Sequence, residues 1–235
     1  MAPRLLKETD LAAAVIDWLT VQHWDVYQEV KFSFASGIAD IAAVRNGKLW
    51  IIECKTSLSF TVLAQAAAWK SHYRSIAIPE TLRSDGRSFA YDYAKHTLKI
   101  GVLEYGKRHW HGSPIDEYFP APIMREYHHI AKQLMGQLSE GHKTHAQAGS
   151  AHGDRYTPYR QTMDAVKEYV TNNPGCTIKD IMNNLPKHHY SNGDSAKGSI
   201  RIALANWEND WCEVISNDNK VTYMRRNHVQ RNNTR

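Results

Sequence analysis

The sequence predicts an α/β protein built on a mixed central sheet flanked by helices, with a smaller second domain of three helices and a hairpin. Three observations predict it. Helix-spaced and strand-like apolar runs alternate through about the first 105 residues. A Gly- and His-rich stretch from Gly141 to Gly153 then breaks the pattern. Beyond it, three amphipathic segments lead into a short β-hairpin.

The elements follow in order. Glu8, Ala12, Val15 and Leu19 keep helical spacing, which predicts a helix near 5–21. Strands are predicted near 24–34, 38–45 and 48–55, the last two joined by the tight turn Asn46-Gly47. A helix near 59–73 precedes a short strand, Ser75–Ile78, closed by Pro79. A helix over Arg87–His96, a strand over Leu98–Tyr105 and a helix near 122–139 complete the first domain, residues 1–140. Residues 141–155 read as a flexible linker, 156–227 as the second domain and 228–235 as a basic tail.

Charge sits where apolar residues should be. In Gly37-Ile38-Ala39-Asp40-Ile41-Ala42 and Trp50-Ile51-Ile52-Glu53-Cys54-Lys55, two acids and a lysine lie within runs that read as buried strands. Alternation places Glu53 and Lys55 on one face, roughly 7 Å apart, with Cys54 on the other. Two carboxylates and an ammonium meeting at one sheet edge suit a hard divalent cation and a phosphate, and so phosphodiester hydrolysis. The plain alternative is an ion pair on a solvated face. Glu29 alternates with apolar neighbours and reads as an outer-face charge.

The pattern resembles the PD-(D/E)XK nuclease superfamily, which includes restriction enzymes, Holliday-junction resolvases and RecB-like exonucleases. Asp40 matches the metal-binding Asp, although Ala39 stands where the family has Pro. Glu53-Cys54-Lys55 matches E-x-K, with twelve residues separating it from Asp40. Glu8 falls where resolvase-like members carry a third acidic ligand; an acid favoured by a helix N-terminus is the alternative. Gln65-Ala66-Ala67-Ala68-Trp69 is similar to Q-x-x-x-Y with Trp in place of Tyr, and an aromatic stripe packing on the sheet is the other account of it. The resemblance covers residues 4 to 105. It implies a restriction-endonuclease-like fold, with Mg²⁺ or alternatively Mn²⁺ held by Asp40, Glu53 and Glu8. It also implies Lys55 as the catalytic cation and Gln65 as a supporting group.

In the second domain Pro158–Asn172, Ile178–Leu185 (N-capped by Thr177) and Ser195–Trp207 are predicted helices, followed by the strands Cys212–Ser216 and Val221–Arg225. This order looks like a winged helix-turn-helix, whose third helix reads a DNA groove. Ser195, Lys197, Ser199 and Arg201 would lie on that helix, and Lys220, Arg225 and Arg226 on the wing and tail. Docking a protein partner is the alternative. Lys220 to Arg235 holds five basic residues and no acid, within a chain whose formal charge is +5.

The remaining composition narrows the function classes. The three cysteines have no metal-ligand spacing and read as reduced thiols of a cytoplasmic protein. The sequence predicts no membrane span. The histidine groups His109/His111 and His142/His145/His152 have no Cys or acid to complete a zinc site. The expectation is a Mg²⁺-dependent DNA endonuclease brought to double-stranded DNA by its second domain, with a homodimer or protein partner left open. A DNA-binding regulator that has kept a nuclease-like fold is the alternative.

Overall fold

The computed structural model describes residues 6–33, 37–80, 85–110, 112–145, 147–149, 155–185, 188–190, 192–217 and 220–226. The chain forms two compact units, residues 1–156 and 157–235. The basic tail beyond Arg226, and His111 and His152, lie outside the described residues.

Unit 1 is a mixed α/β layer structure. Its six strands are β1 (Asp25–Val30), β2 (Ala39–Arg45), β3 (Lys48–Cys54), β4 (Tyr73–Pro79), β5 (Gly101–Trp110) and β6 (Ser113–Phe119). They lie in sequence order across one sheet. β1, β2 and β3 pair antiparallel, as do β5 and β6. β3, β4 and β5 are parallel. Parallel neighbours need crossovers, which are supplied by α2 (Phe60–Ala68) and by α3 (Asp85–Asp92) continuing into a π-helix, Tyr93–Leu98. At the β2–β3 turn Asn46 and Gly47 both have positive φ, 51° and 67°, as a two-residue primed turn requires. That turn sets Arg45 opposite Lys48 and fixes the register of the strands carrying Asp40 and Glu53.

Helix α1 (Glu8–Val21) buries Leu11, Ala12, Val15 and Leu19 against Ile41, Ala43, Trp50 and Ile52 on one face of the sheet. The opposite face is covered by α2, through Val62, Leu63 and Ala66, and by α4 (His128–Met135), through Ala131 and Leu134. Both faces of β3 are therefore buried, as its continuous apolar run requires.

Several boundaries differ from expectation. Helix α2 stops at Ala68, because Trp69 is extended (φ −71°, ψ 129°) and Tyr73 belongs to β4. Buried Arg74 donates to the carbonyls of Ala67 and Trp69 and, at 2.7 Å, of Leu98, satisfying helix ends that would otherwise be orphaned. β6 was not anticipated, and the helix expected over 122–139 is confined to His128–Met135 after a 3₁₀ turn.

The largest correction concerns 141–155. Instead of a free linker, Gly141–Thr144 forms the short helix α5, and His142, Ala148 and Tyr156 are buried. Lys143 pairs with Asp25 at 2.7 Å, and Ala148 N donates to Gln28 at 3.1 Å. The segment is tied to the sheet edge by polar contacts that hydrophobic periodicity does not register.

Unit 2 contains α6 (Pro158–Asn172), α7 (Ile178–Asn184), α8 (Gly193–Asn206) and the hairpin β7–β8 (Cys212–Asn217, Lys220–Arg225). Thr157, Thr177 and Asn192 N-cap the three helices, Thr177 in a reciprocal capping box with Asp180. Val166, Val170, Ile181, Ile200, Ala203 and Leu204 close on Trp211 and Tyr223 to form the core. Cys176 bridges Tyr223 and adds a third, minimal strand beside the hairpin. Among the described residues no helix is long and apolar enough to cross a membrane.

Candidate active site

The hairpin β2–β3 brings the acids and the lysine to one end of the sheet. Asp40 is 9% exposed, and its Oδ2 accepts from Cys54 N at 2.8 Å and from Lys55 Nζ at 3.5 Å. Lys55 Nζ also donates to Glu8 Oε2 at 3.0 Å, joining the first turn of α1 to the end of β3. Glu53, 4% exposed, accepts from Trp69 Nε1 at 2.6 Å. The extended backbone that ends α2 thus turns an indole onto the second acid.

Of the site residues expected from sequence, Glu8, Asp40, Glu53 and Lys55 come together. Gln65 does not; it is exposed on α2 and does not line the cavity described below. Glu8 serves as the partner of Lys55.

Three residues were missed. Glu29 is 5% exposed and faces the site rather than solvent. Its positive φ of 49° breaks the alternation of β1, so that Tyr27 and Val30 pack on the same face and the carboxylate turns toward Asp40. Gly149 N donates to Glu29 Oε1 at 3.0 Å, and Arg155 Nε lies 4.0 Å from Glu29 Oε2. Gly149 has φ 77°, and a Cβ there would stand 2.7 Å from the carbonyl carbon of Glu8, so close backbone approach requires glycine. Glu8, Glu29, Ile38, Asp40, Lys55, Gly149 and Arg155 line a cavity of about 170 Å³. Gly149 and Arg155 fell in the supposed linker, and the positive φ at Glu29 has no signature in the residue types around it.

The electrostatics follow from crowding. Burial, and then the charge of Asp40, push Glu53 up to about 7. Burial raises Asp40 despite the pull of Lys55, and burial followed by Asp40 raises Glu29. Burial opposes the charge on Lys55, but Asp40 and Glu8 outweigh it and hold its ammonium above the usual lysine range. Four carboxyls against two cations, Lys55 and Arg155, leave two negative charges when all are ionised. An oxygen-only donor set with that deficit fits a hard divalent cation in kind and in charge. The grouping is looser than a finished metal site. Among the described residues no three His, Cys, Asp or Glu side chains are gathered closely enough to hold an ion, and the ammonium of Lys55 bridges Glu8 and Asp40.

In unit 2, Ser195 and Lys197 are exposed on the first half of α8. Ser199 hydrogen-bonds to Tyr190, and exposed Arg201 reaches Tyr223. Lys220, Arg225 and Arg226 are exposed along the second strand of the hairpin and just past it.

No protein-family model matches the chain, and no curated protein matches it. Among solved structures it is similar to the SPO1766 protein of unknown function from Silicibacter pomeroyi, with 16% identity and a TM-score of 0.38. That likeness covers 56% of this chain and 85% of the other.

Proposed function

We propose that the chain is a divalent-metal-dependent DNA endonuclease, with unit 1 carrying the hydrolytic site and unit 2 binding double-stranded DNA. The observation that carries this reading is the meeting of Glu8, Asp40 and Lys55, residues up to 47 positions apart, around one small polar cavity, with buried Glu53 close enough to feel the charges of Asp40 and Lys55. A structural ion pair does not call for three further buried acids beside it. Asp40 and Glu53 would hold the cation, Mg²⁺ or Mn²⁺. When bound, that ion supplies charge neutralisation at the phosphate and a more acidic water.

The chain's own residues do the rest. Cys54 N orients Asp40, and Trp69 Nε1 fixes Glu53. Lys55, kept protonated by Asp40 and Glu8, offers N–H donors to the negative charge that grows on the phosphate oxygens. Arg155, on the same cavity, adds a second cation for phosphate binding. In unit 2, Lys197 and the basic residues of the hairpin would contact the DNA backbone.

A second reading, a DNA-binding regulator without hydrolytic activity, is favoured by the internal hydrogen bonds that already engage Asp40 and Glu53. A cleavage panel separates the two: supercoiled, linear, methylated, single-stranded and branched DNA, with RNA alongside, in Mg²⁺, Mn²⁺, Ca²⁺ or EDTA. Expected are cleavage of DNA in Mg²⁺, binding without turnover in Ca²⁺ and no cleavage by Asp40→Asn. Duplex binding with no cleavage of any substrate would leave the regulator.

A further inference from the structure

A second cavity in unit 1, about 280 Å³, lies at the other end of the β2–β3 hairpin from the acids. Lys48 and Glu53 stand five residues apart on β3, ~17 Å along the strand. Its walls are aromatic: Trp18 from α1, Trp24 just before β1, Trp50 from β3 and Tyr73 from β4. Trp50 is the hub, with ring centroids 5.2 Å from Trp24, 6.0 Å from Trp18 and 6.2 Å from Tyr73, all edge-to-face. Trp18 and Tyr73 are only half-buried, so aromatic surface remains open to the cavity. Arg45 and Lys48, flanking the hairpin turn, line its rim. The Arg45 guanidinium is fixed there, 4.5 Å over the Trp24 ring and donating to Gln22 O at 2.7 Å.

The indole N–H groups differ in one respect. Trp50 Nε1 donates to Ser75 Oγ at 3.0 Å. Trp24, 8% exposed, has a buried Nε1 with no hydrogen-bond partner among the described residues. Buried donors are nearly always satisfied; among the described residues, the Trp24 ring is held by packing and by the Arg45 guanidinium over it rather than by a hydrogen bond.

We propose that this cavity binds a nucleotide, with the base among the tryptophans and its phosphate at Arg45 and Lys48. Aromatic walls suit a flat heteroaromatic ring, and Gln22 and Asn46 on the same lining offer polar groups to its ring nitrogens and carbonyls. Two cations, Arg45 and Lys48, against the one carboxylate of Glu117 leave the lining net positive, which favours an anion over a quaternary ammonium, the other usual guest of an aromatic cage. The volume lies at the small end of ligand sites, ~300 Å³, suited to one nucleotide and too small for a duplex. The nucleotide could be free or an unpaired residue of a nucleic acid, since both present the same chemistry. The proposal does not depend on hydrolysis at the acid cluster.

Isothermal titration of the full chain with the four deoxynucleoside monophosphates tests it, with ribose 5-phosphate, inorganic phosphate and uncharged nucleosides as controls. Expected is one site with Kd below ~1 mM for at least one nucleotide, at least tenfold weaker binding of its nucleoside and none of ribose 5-phosphate. Trp24→Phe replaces the indole with a smaller ring, cutting back the aromatic wall, and should weaken binding about fivefold. Lys48→Glu, at the half-buried rim, should weaken it at least tenfold with an unchanged thermal melt. Asp40→Asn should bind the nucleotide like wild type, whatever it does to DNA cleavage. A DNA hairpin with one unpaired base that displaces the nucleotide identifies nucleic acid as the source, and failure to displace it identifies a free nucleotide. The proposal is overturned by no nucleotide binding at millimolar concentration or by equal binding of ribose 5-phosphate. It is equally overturned by wild-type affinity in both Trp24→Phe and Lys48→Glu, or by loss of the signal in Asp40→Asn, which would move the site to the acid cavity.

Discussion

Unit 1 and unit 2 are built on opposite policies toward buried charge. Unit 1 encloses Glu29, Asp40, Glu53, His72, Arg74, Glu104 and His142. Unit 2 buries aliphatic and aromatic side chains, with Thr162 the buried polar residue among those described, and keeps Lys197, Arg201, Lys220 and Arg225 outside. Burying an ionisable group costs free energy unless its charge is met. Holding its acids together therefore costs unit 1 stability, a cost that the described core of unit 2 does not carry. Under the proposed function, the first is where a bond is cut and the second is where DNA is held.

The sharpest test of that contrast is Glu53→Gln. The carboxamide still accepts from Trp69 but loses the charge a hard cation requires, so cleavage should fall at least about a thousandfold. Wild-type turnover would break the contrast at its centre.

Next in size, Ile200→Ala opens a cavity in the unit 2 core and should cost about 2–5 kcal/mol. Calorimetry should show the unit 2 transition shifted and that of unit 1 nearly in place. A single transition moving as a whole would show that the units do not fold separately.

The same Glu53→Gln variant should be more stable than wild type. Folded Glu53 keeps its proton up to about 7, against 4.5 when unfolded. Its carboxylate therefore weighs against the fold increasingly as pH rises from 4.5 through 7. The gain should be on the order of 1–3 kcal/mol at pH 8 and vanish near pH 4. Melts showing no pH-dependent gain would mean the acids are not strained.

Acid acts on unit 1 by a different route. Leu49 N donates to His72 Nδ1 at 3.0 Å, which leaves the proton on Nε2, 2.9 Å from His128 Nδ1. Burial, then Lys48, holds His72 below the usual histidine range, and burial does the same for His142. The unfolded chain takes up these protons first, so their contribution to stability is full above about 6.5 and is lost as pH falls below it. His72→Asn should flatten that slope in chemical denaturation between pH 5 and 7, and an unchanged slope would remove His72 as the cause.

The smallest effect belongs to unit 2. Removing one phosphate contact with Lys197→Ala should lower the slope of log affinity against log salt by about 0.9. An unchanged slope would point to protein docking.

Much of this architecture was legible in the residue order. Alternation and the Asn46-Gly47 turn determine the hairpin that aligns Asp40 with Glu53, and local capping residues determine the three helices of unit 2. These are short-range effects, carried by side chains within a few positions of one another. The rest needed contacts distant in sequence. Glu29 turns inward through a positive φ in a strand whose residue types do not ask for one, and Gly149, 120 residues away, meets it there. Trp69 rather than Gln65 reaches the acids because α2 stops at Ala68, with Arg74 of the next strand satisfying its last carbonyls. The segment that periodicity reads as a linker becomes one wall of the candidate site, through Gly149 and Arg155. Hydrophobic period specifies which face of an element is buried. Which polar group lies opposite another across the fold is decided by backbone pairing and by the satisfaction of buried hydrogen bonds, and those exist only once the chain has folded.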